Sequence, residues 1–110
     1  MKNLVDFAFL DSGTGGIPYM LLLKEKSPRS RCVYLGDTVH FPYGEKDFNE
    51  IVRCASNAIN LIIDRWNPRV IVIACNTISV TALDSLRKLH PSLPIVGTVP
   101  AIKLAAKISE

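Results

Sequence analysis

The stretch Val70-Ile71-Val72-Ile73-Ala74-Cys75-Asn76-Thr77 decides how the rest of the chain is read. Val70 to Ala74 is an apolar, β-branched run without polar alternation, the pattern of a strand covered on both faces and therefore central in a parallel sheet. Polar residues follow at once, and then Ile78, Ala82, Leu83, Leu86 and Leu89 fall on one face of a predicted helix that stops at His90-Pro91. A buried strand running straight into a helix is the repeating unit of an alternating α/β chain.

The same unit recurs on either side. Upstream, Leu4 to Leu10 is a short apolar run bounded by Asp11-Ser12-Gly13, and Ile17 to Lys26 is a helix stopped by Ser27-Pro28. Cys32 to Leu35 is a second strand closed by Gly36-Asp37-Thr38, and Pro42 and Gly44 make Phe41 to Gly44 a loop. Asp47-Phe48-Asn49-Glu50 has the spacing of a capping box, with Asp in the Ser/Thr position, so a helix begins there. Ile51, Ala55, Ala58, Ile59, Ile62 and Trp66 give it one apolar face, and Asn67-Pro68 ends it. Downstream, Pro94 to Gly97 is a fourth strand, and Pro100 suits the first position of a fourth helix running to the chain end. Four such units predict one three-layer α/β domain, a four-stranded parallel sheet flanked by helices on both faces and joined by right-handed crossovers.

Composition agrees with this and narrows the function. The 110 residues suffice for one core, and 48% hydrophobic with 21% charged residues argues against disorder. The net charge of +3 is spread along the chain without a clustered basic face, which argues against nucleic acid as partner. Cys32, Cys54 and Cys75 are too few and too scattered for a disulfide scaffold, so a reducing, cytoplasmic setting is expected. No apolar stretch approaches the roughly 20 residues that span a bilayer, and the N-terminal run, interrupted by Asp6, reads as a strand rather than a signal peptide.

In an open parallel sheet the ligand crevice lies beyond the carboxyl ends of the strands. The residues collected there are Asp11-Ser12-Gly13-Thr14-Gly15-Gly16, Gly36-Asp37-Thr38 continuing to Pro42-Tyr43-Gly44, Cys75-Asn76-Thr77, and Thr98. The glycine turn fails the dinucleotide fingerprint, because Pro18 stands where the third glycine belongs, and it lacks the Gly-Lys-Ser/Thr of a mononucleotide loop. Its amides at a helix N-terminus still suit a carboxylate or phosphate. Cys75 is the candidate of greatest interest, since a helix N-terminus favours the thiolate. Cys32 and Cys54, in an apolar strand and on an apolar helix face, read as small core hydrophobes. His40 reads as an incidental loop residue, Trp66 as core, and His90 as a favourable partner for a helix dipole.

These motifs, together with Val96-Gly97-Thr98-Val99-Pro100-Ala101, resemble in order the N-terminal half of bacterial glutamate racemase, a member of the aspartate/glutamate racemase superfamily with flavodoxin-like half-domains. The resemblance implies inversion of glutamate at its α-carbon without a cofactor, by two cysteines on opposite faces of the substrate. By similarity Cys75 is the base acting on the D-enantiomer and Asp11 assists it. Asp11, Ser12, Pro42, Tyr43, Gly44, Asn76 and Thr77 would hold the substrate. The family's D-glutamate feeds peptidoglycan precursors. Ile17-Pro18-Tyr19-Met20, His40 and Ile78 depart from the family pattern but spare the proposed chemistry. The partner motif, Cys-Thr-His, does not occur in the chain. Residues 1–110 are thus expected to be the first domain of a two-domain racemase, inactive alone because a second domain supplies the second cysteine, and self-association through the uncovered face is a further expectation. Two alternatives stand beside this reading: a non-catalytic protein-interaction module, and a half-enzyme acting on aspartate or a related diacid.

Overall fold

The computed structural model describes residues 3–38 and 43–97. Strand β1 (Phe7–Asp11), helix α1 (Ile17–Lys26), strand β2 (Cys32–Gly36), a single 3-10 turn (Tyr43–Glu45), helix α2 (Phe48–Trp66), strand β3 (Val70–Ile73), helices α3 (Asn76–Thr81) and α4 (Leu83–Leu89), and strand β4 (Ile95–Gly97) follow in that order. All strand pairs are parallel, in the spatial order β2-β1-β3-β4. The run from Val70 is therefore an inner strand, as its unbroken apolar character requires. The chain steps one way from β1 to β2 and back past β1 to β3, so right-handed crossovers put α1 on one face and α2 on the other. Among the described residues no helix is long and apolar enough to cross a membrane.

The pleat sorts the side chains. Ala8, Leu10, Ile71, Ile73 and Ile95 point to one face and form the core with Ile51, Ala55, Ile59 and Ile62 of α2, Ile78 of α3, and Leu83 and Leu86 of α4. The opposite face carries Phe9, Tyr34, Val72 and Val96, in register across β1, β2, β3 and β4. Helix α1 lies on that side and contains no fully buried residue. Helix α2 begins where the sequence places it: the Asp47 side chain accepts the Glu50 amide at 2.8 Å. It ends at Asn67, whose left-handed backbone (φ 43°) closes the helix with its own amide on the Ile63 carbonyl. Trp66 is half-buried against the core.

Four expectations are corrected. The helix after β3 is broken at Ala82, where the backbone (φ −120°, ψ −2°) leaves helical values. Immediately before it, the Thr81 hydroxyl donates to the Thr77 carbonyl at 2.6 Å, a side-chain bond onto the preceding turn of a kind that often bends helices. Past the break Leu89 is exposed, while Ile78, Ala82, Leu83 and Leu86 are buried as expected. Cys32, on an edge strand, is only partly buried, whereas Cys54 is buried; all three cysteines are free thiols. His90 is the residue just past the end of α4 rather than part of its last turn; its Nε2 lies 3.0 Å from the Ser56 hydroxyl, and partial burial lowers its pKa. The predicted fourth helix from Pro100, and Thr98, lie outside the described residues.

Candidate active site

The carboxyl ends of β1, β2 and β3 are tied together where the chain leaves the sheet. The Ala74 amide donates to the Leu10 carbonyl and the Asp37 amide to the Asp11 carbonyl, each at 2.8 Å. The turns after β1, β2 and β3 therefore start from one rigid edge. Between the first and third of these turns lies an open cleft of about 410 Å³, lined by Asp11 through Gly15, Tyr19, and Ala74 through Thr77.

Asp11 is the best-anchored polar group in the cleft and only 5% exposed. Its Oδ1 accepts the Ser12 amide and its Oδ2 the Gly16 amide, both at 2.7 Å, and Oδ2 also accepts the Tyr34 hydroxyl. A buried carboxylate with three donors has its charge balanced locally, which is what makes its burial tolerable. The turn it organises requires glycine at one position. A Cβ on Gly16 would stand 2.5 Å from the Ala74 Cβ and 2.9 Å from Asp11 Oδ2, whereas one on Gly15 would meet nothing within 4 Å.

Cys75 is the residue immediately before α3, in extended conformation, and its carbonyl accepts the Ser79 amide at 3.0 Å. Its Sγ lies 3.5 Å from the Ser12 hydroxyl, so the thiol after β3 faces the glycine turn after β1. Asn76 is exposed and Thr77 half-exposed beside it, both on the cleft wall. A thiol beside a hydroxyl, with amides and an ordered carboxylate around it, is a group able to exchange protons with a small polar ligand.

Of the residues expected at the site, Asp11, Ser12, Cys75, Asn76 and Thr77 are brought together. Tyr43 and Gly44 belong to the 3-10 turn, which packs beside α3. The Tyr43 ring is 1% exposed within the core, and its hydroxyl donates to Asp37 Oδ2 at 2.5 Å. Burial, reinforced by that carboxylate, holds its phenol in the protonated form. Pro42 and His40 lie outside the described residues. Two tyrosines were missed. Tyr19 reaches the cleft one turn into α1, and Tyr34 acts from beneath it. The available signal for Tyr34 was parity: on β2 it shares a face with Phe9 and Asp11 of β1, and it is the one polar-tipped side chain in Cys32–Gly36. Among the described residues no group of three or more His, Cys, Asp or Glu side chains comes together.

The open parallel α/β sheet thus sets a free thiol and an anchored carboxylate in the crevice beyond its strands, where sheets of this class bind their ligands. The comparisons with known proteins name the relatives. The chain is 45% identical over 108 residues, 98% of its length, to the glutamate racemase of Treponema pallidum. It superposes on the glutamate racemase of Aquifex pyrophilus with a TM-score of 0.84 at 33% identity over 93% of the chain. The glutamate racemase of Francisella tularensis, solved in complex with D-glutamate, matches 89% of the chain at 31% identity and a TM-score of 0.80. No protein-family model matches. The chain is a relative of the glutamate racemases in sequence and in fold, and it spans about 40% of the length of the relatives it matches.

Proposed function

We propose that this chain is the N-terminal domain of a two-domain glutamate racemase and supplies one of its two proton-transfer groups. The observation that carries the reading is the placement of the Cys75 thiol at the carboxyl edge of the inner strands, 3.5 Å from the Ser12 hydroxyl and opposite the Asp11-anchored glycine turn. In this reading the Cys75 thiolate takes the α-proton of D-glutamate. The Cα–H bond breaks, an S–H bond forms, and the electron pair spreads into the α-carboxyl group. A second thiol, from the other domain, then delivers a proton to the opposite face of the same carbon. Asp11 supports the substrate end of this relay. Ser12, Asn76 and Thr77 line the binding cleft, and similarity to the glutamate racemases supports a substrate-holding role for Pro42, Tyr43 and Gly44 of the second loop as well. The reaction draws on no cofactor, and its D-glutamate product feeds peptidoglycan synthesis in a bacterial cytoplasm.

Two measurements test it. In a protein that continues into a second domain, Cys75→Ala is expected to reduce racemisation by about 10²–10⁴-fold while leaving the thermal unfolding midpoint unchanged. The 110 residues alone are expected not to racemise glutamate, followed by circular dichroism of the product. A C75A variant of near-normal activity overturns the role of the thiol, and rapid racemisation by the 110-residue chain overturns the two-domain reading.

A further inference from the structure

Tyr34 lies outside the cleft, yet it is bonded to the part of it that has to hold still. It sits in the middle of edge strand β2, opposite Phe9 of β1. Its ring stacks on the Phe9 ring, with centroids 6.5 Å apart and planes 16° from parallel. That stack aims the hydroxyl along the sheet toward the turn after β1. There it donates to Asp11 Oδ2, lies 3.1 Å from the Gly16 amide that the same carboxylate oxygen accepts, and lies 3.4 Å from the Gly13 carbonyl. One hydroxyl thus touches both ends of the turn and the carboxylate that spans it. Space is short at this point: a Cβ on Gly16 would come within 3.0 Å of the Tyr34 oxygen.

The protonation state fits the geometry. Burial, and then the Asp11 carboxylate, push the Tyr34 phenol well above its ordinary range, so it remains a donor at any pH the protein meets. The turn in turn carries Ser12, whose hydroxyl is the neighbour of Cys75 Sγ. The path from Tyr34 to the thiol runs through two hydrogen-bonded groups, buried Asp11 and half-buried Ser12.

We propose that Tyr34 is a positioning residue for the site, holding the Asp11 carboxylate in the rotamer that fixes the Ser12–Gly16 turn and thereby setting the Ser12 hydroxyl against the Cys75 thiol. The proposal deepens the racemase reading by naming what pre-organises its first domain. Its geometric content does not depend on the substrate.

The test reads the thiols directly, so it stands apart from any assay of racemisation. The 110-residue chain is treated with iodoacetamide, and alkylation of Cys75 and of Cys54 is followed separately by peptide mass spectrometry in wild type, Tyr34→Phe, Asp11→Asn and the double variant. Phenylalanine keeps the stack on Phe9 and removes only the hydroxyl. Loosening the turn is expected to speed alkylation of Cys75 by about threefold or more, a factor in keeping with one lost hydrogen bond. Alkylation of core Cys54 is expected to stay unchanged. Because Tyr34 acts through Asp11, the double variant is expected to be no faster than Asp11→Asn alone. Three results overturn the proposal: an unchanged Cys75 rate in Tyr34→Phe, effects that multiply in the double variant, or parallel acceleration at Cys54, which marks general loosening of the fold. Loss of racemase activity elsewhere, with these rates as expected, counts against the functional reading and leaves the positioning role standing.

Discussion

The two faces of the sheet are built from the same four strands and treated differently. On one, Ala8, Leu10, Ile71, Ile73 and Ile95 are sealed under α2, α3 and α4, with every one of these five at 3% exposure or less. On the other, α1 has no buried residue, Leu21 and Leu22 are more than half exposed, and Val96 of β4 is 43% exposed. The sealed face holds the fold. The open face has at its upper end a tightly fitted polar cluster, Asp11 with Tyr34 and Gly16. Stability and site organisation are therefore separated by the thickness of one sheet, and mutations on the two sides should report different things.

The largest contrast lies between core and α1. Ile59→Ala removes a fully buried side chain from the sealed face and is expected to cost about 2–5 kcal/mol in urea unfolding. Leu22→Ala on the open face is expected to shift stability by no more than about 0.5 kcal/mol. Equal losses would mean that α1 is as well packed as α2.

A finer contrast lies within the glycine turn. Gly16→Ala forces a methyl group onto Ala74 and Asp11 and is expected to destabilise by about 1–3 kcal/mol. Gly15→Ala meets open space and, with no positive φ at either glycine, is expected to be neutral within about 0.5 kcal/mol in thermal unfolding. If both are tolerated alike, the turn is not fixed by its contacts.

The smallest effect belongs to the sealed side, at the contact of His90 with Ser56. Burial lowers the folded-state pKa of His90 below 6.5, so as pH falls through that value the unfolded chain takes up the proton first. Stability is expected to decline modestly on acidification through and below pH 6.5, and His90→Gln to flatten that slope in unfolding curves recorded across the window. An unaltered slope would place the titration elsewhere.

The fold was legible because its signals are local. The unbroken run from Val70 marks an inner strand, Asp47 with Glu50 marks a helix start, and Asn67 before Pro68 marks its stop; each works within a few residues of chain. What was not legible depends on neighbours distant in sequence or on choices between equivalent local bonds. Thr81 can leave its hydroxyl in solvent or turn it onto the Thr77 carbonyl, a choice that nothing in the local sequence decides, and the break follows at Ala82. His90 reads as a helix-end residue, and nothing near it in the sequence shows that its ring meets Ser56, 34 residues away. The cleft shows the same division. Asp11, Ser12 and Cys75 announce themselves as polar residues at strand ends, whereas Tyr34 is hidden in an apolar run and gains its role only through the register that sets β2 against β1.

The strand order has a consequence for synthesis. Of the four described strands β1 is made earliest and ends as an inner strand, and it can pair with β2 long before its other neighbour, β3, exists. Until residue 73 has emerged, one edge of β1 and the apolar face above it stay open, a state in which parallel pairing over a long loop is slow and association with other chains competes. Ser12 and Cys75, 63 residues apart, meet only when that gap closes. The contact between Ser12 and Cys75 is thus made by the same step that joins β3 to β1, and a nascent chain does not bring the two together before its inner strands are paired.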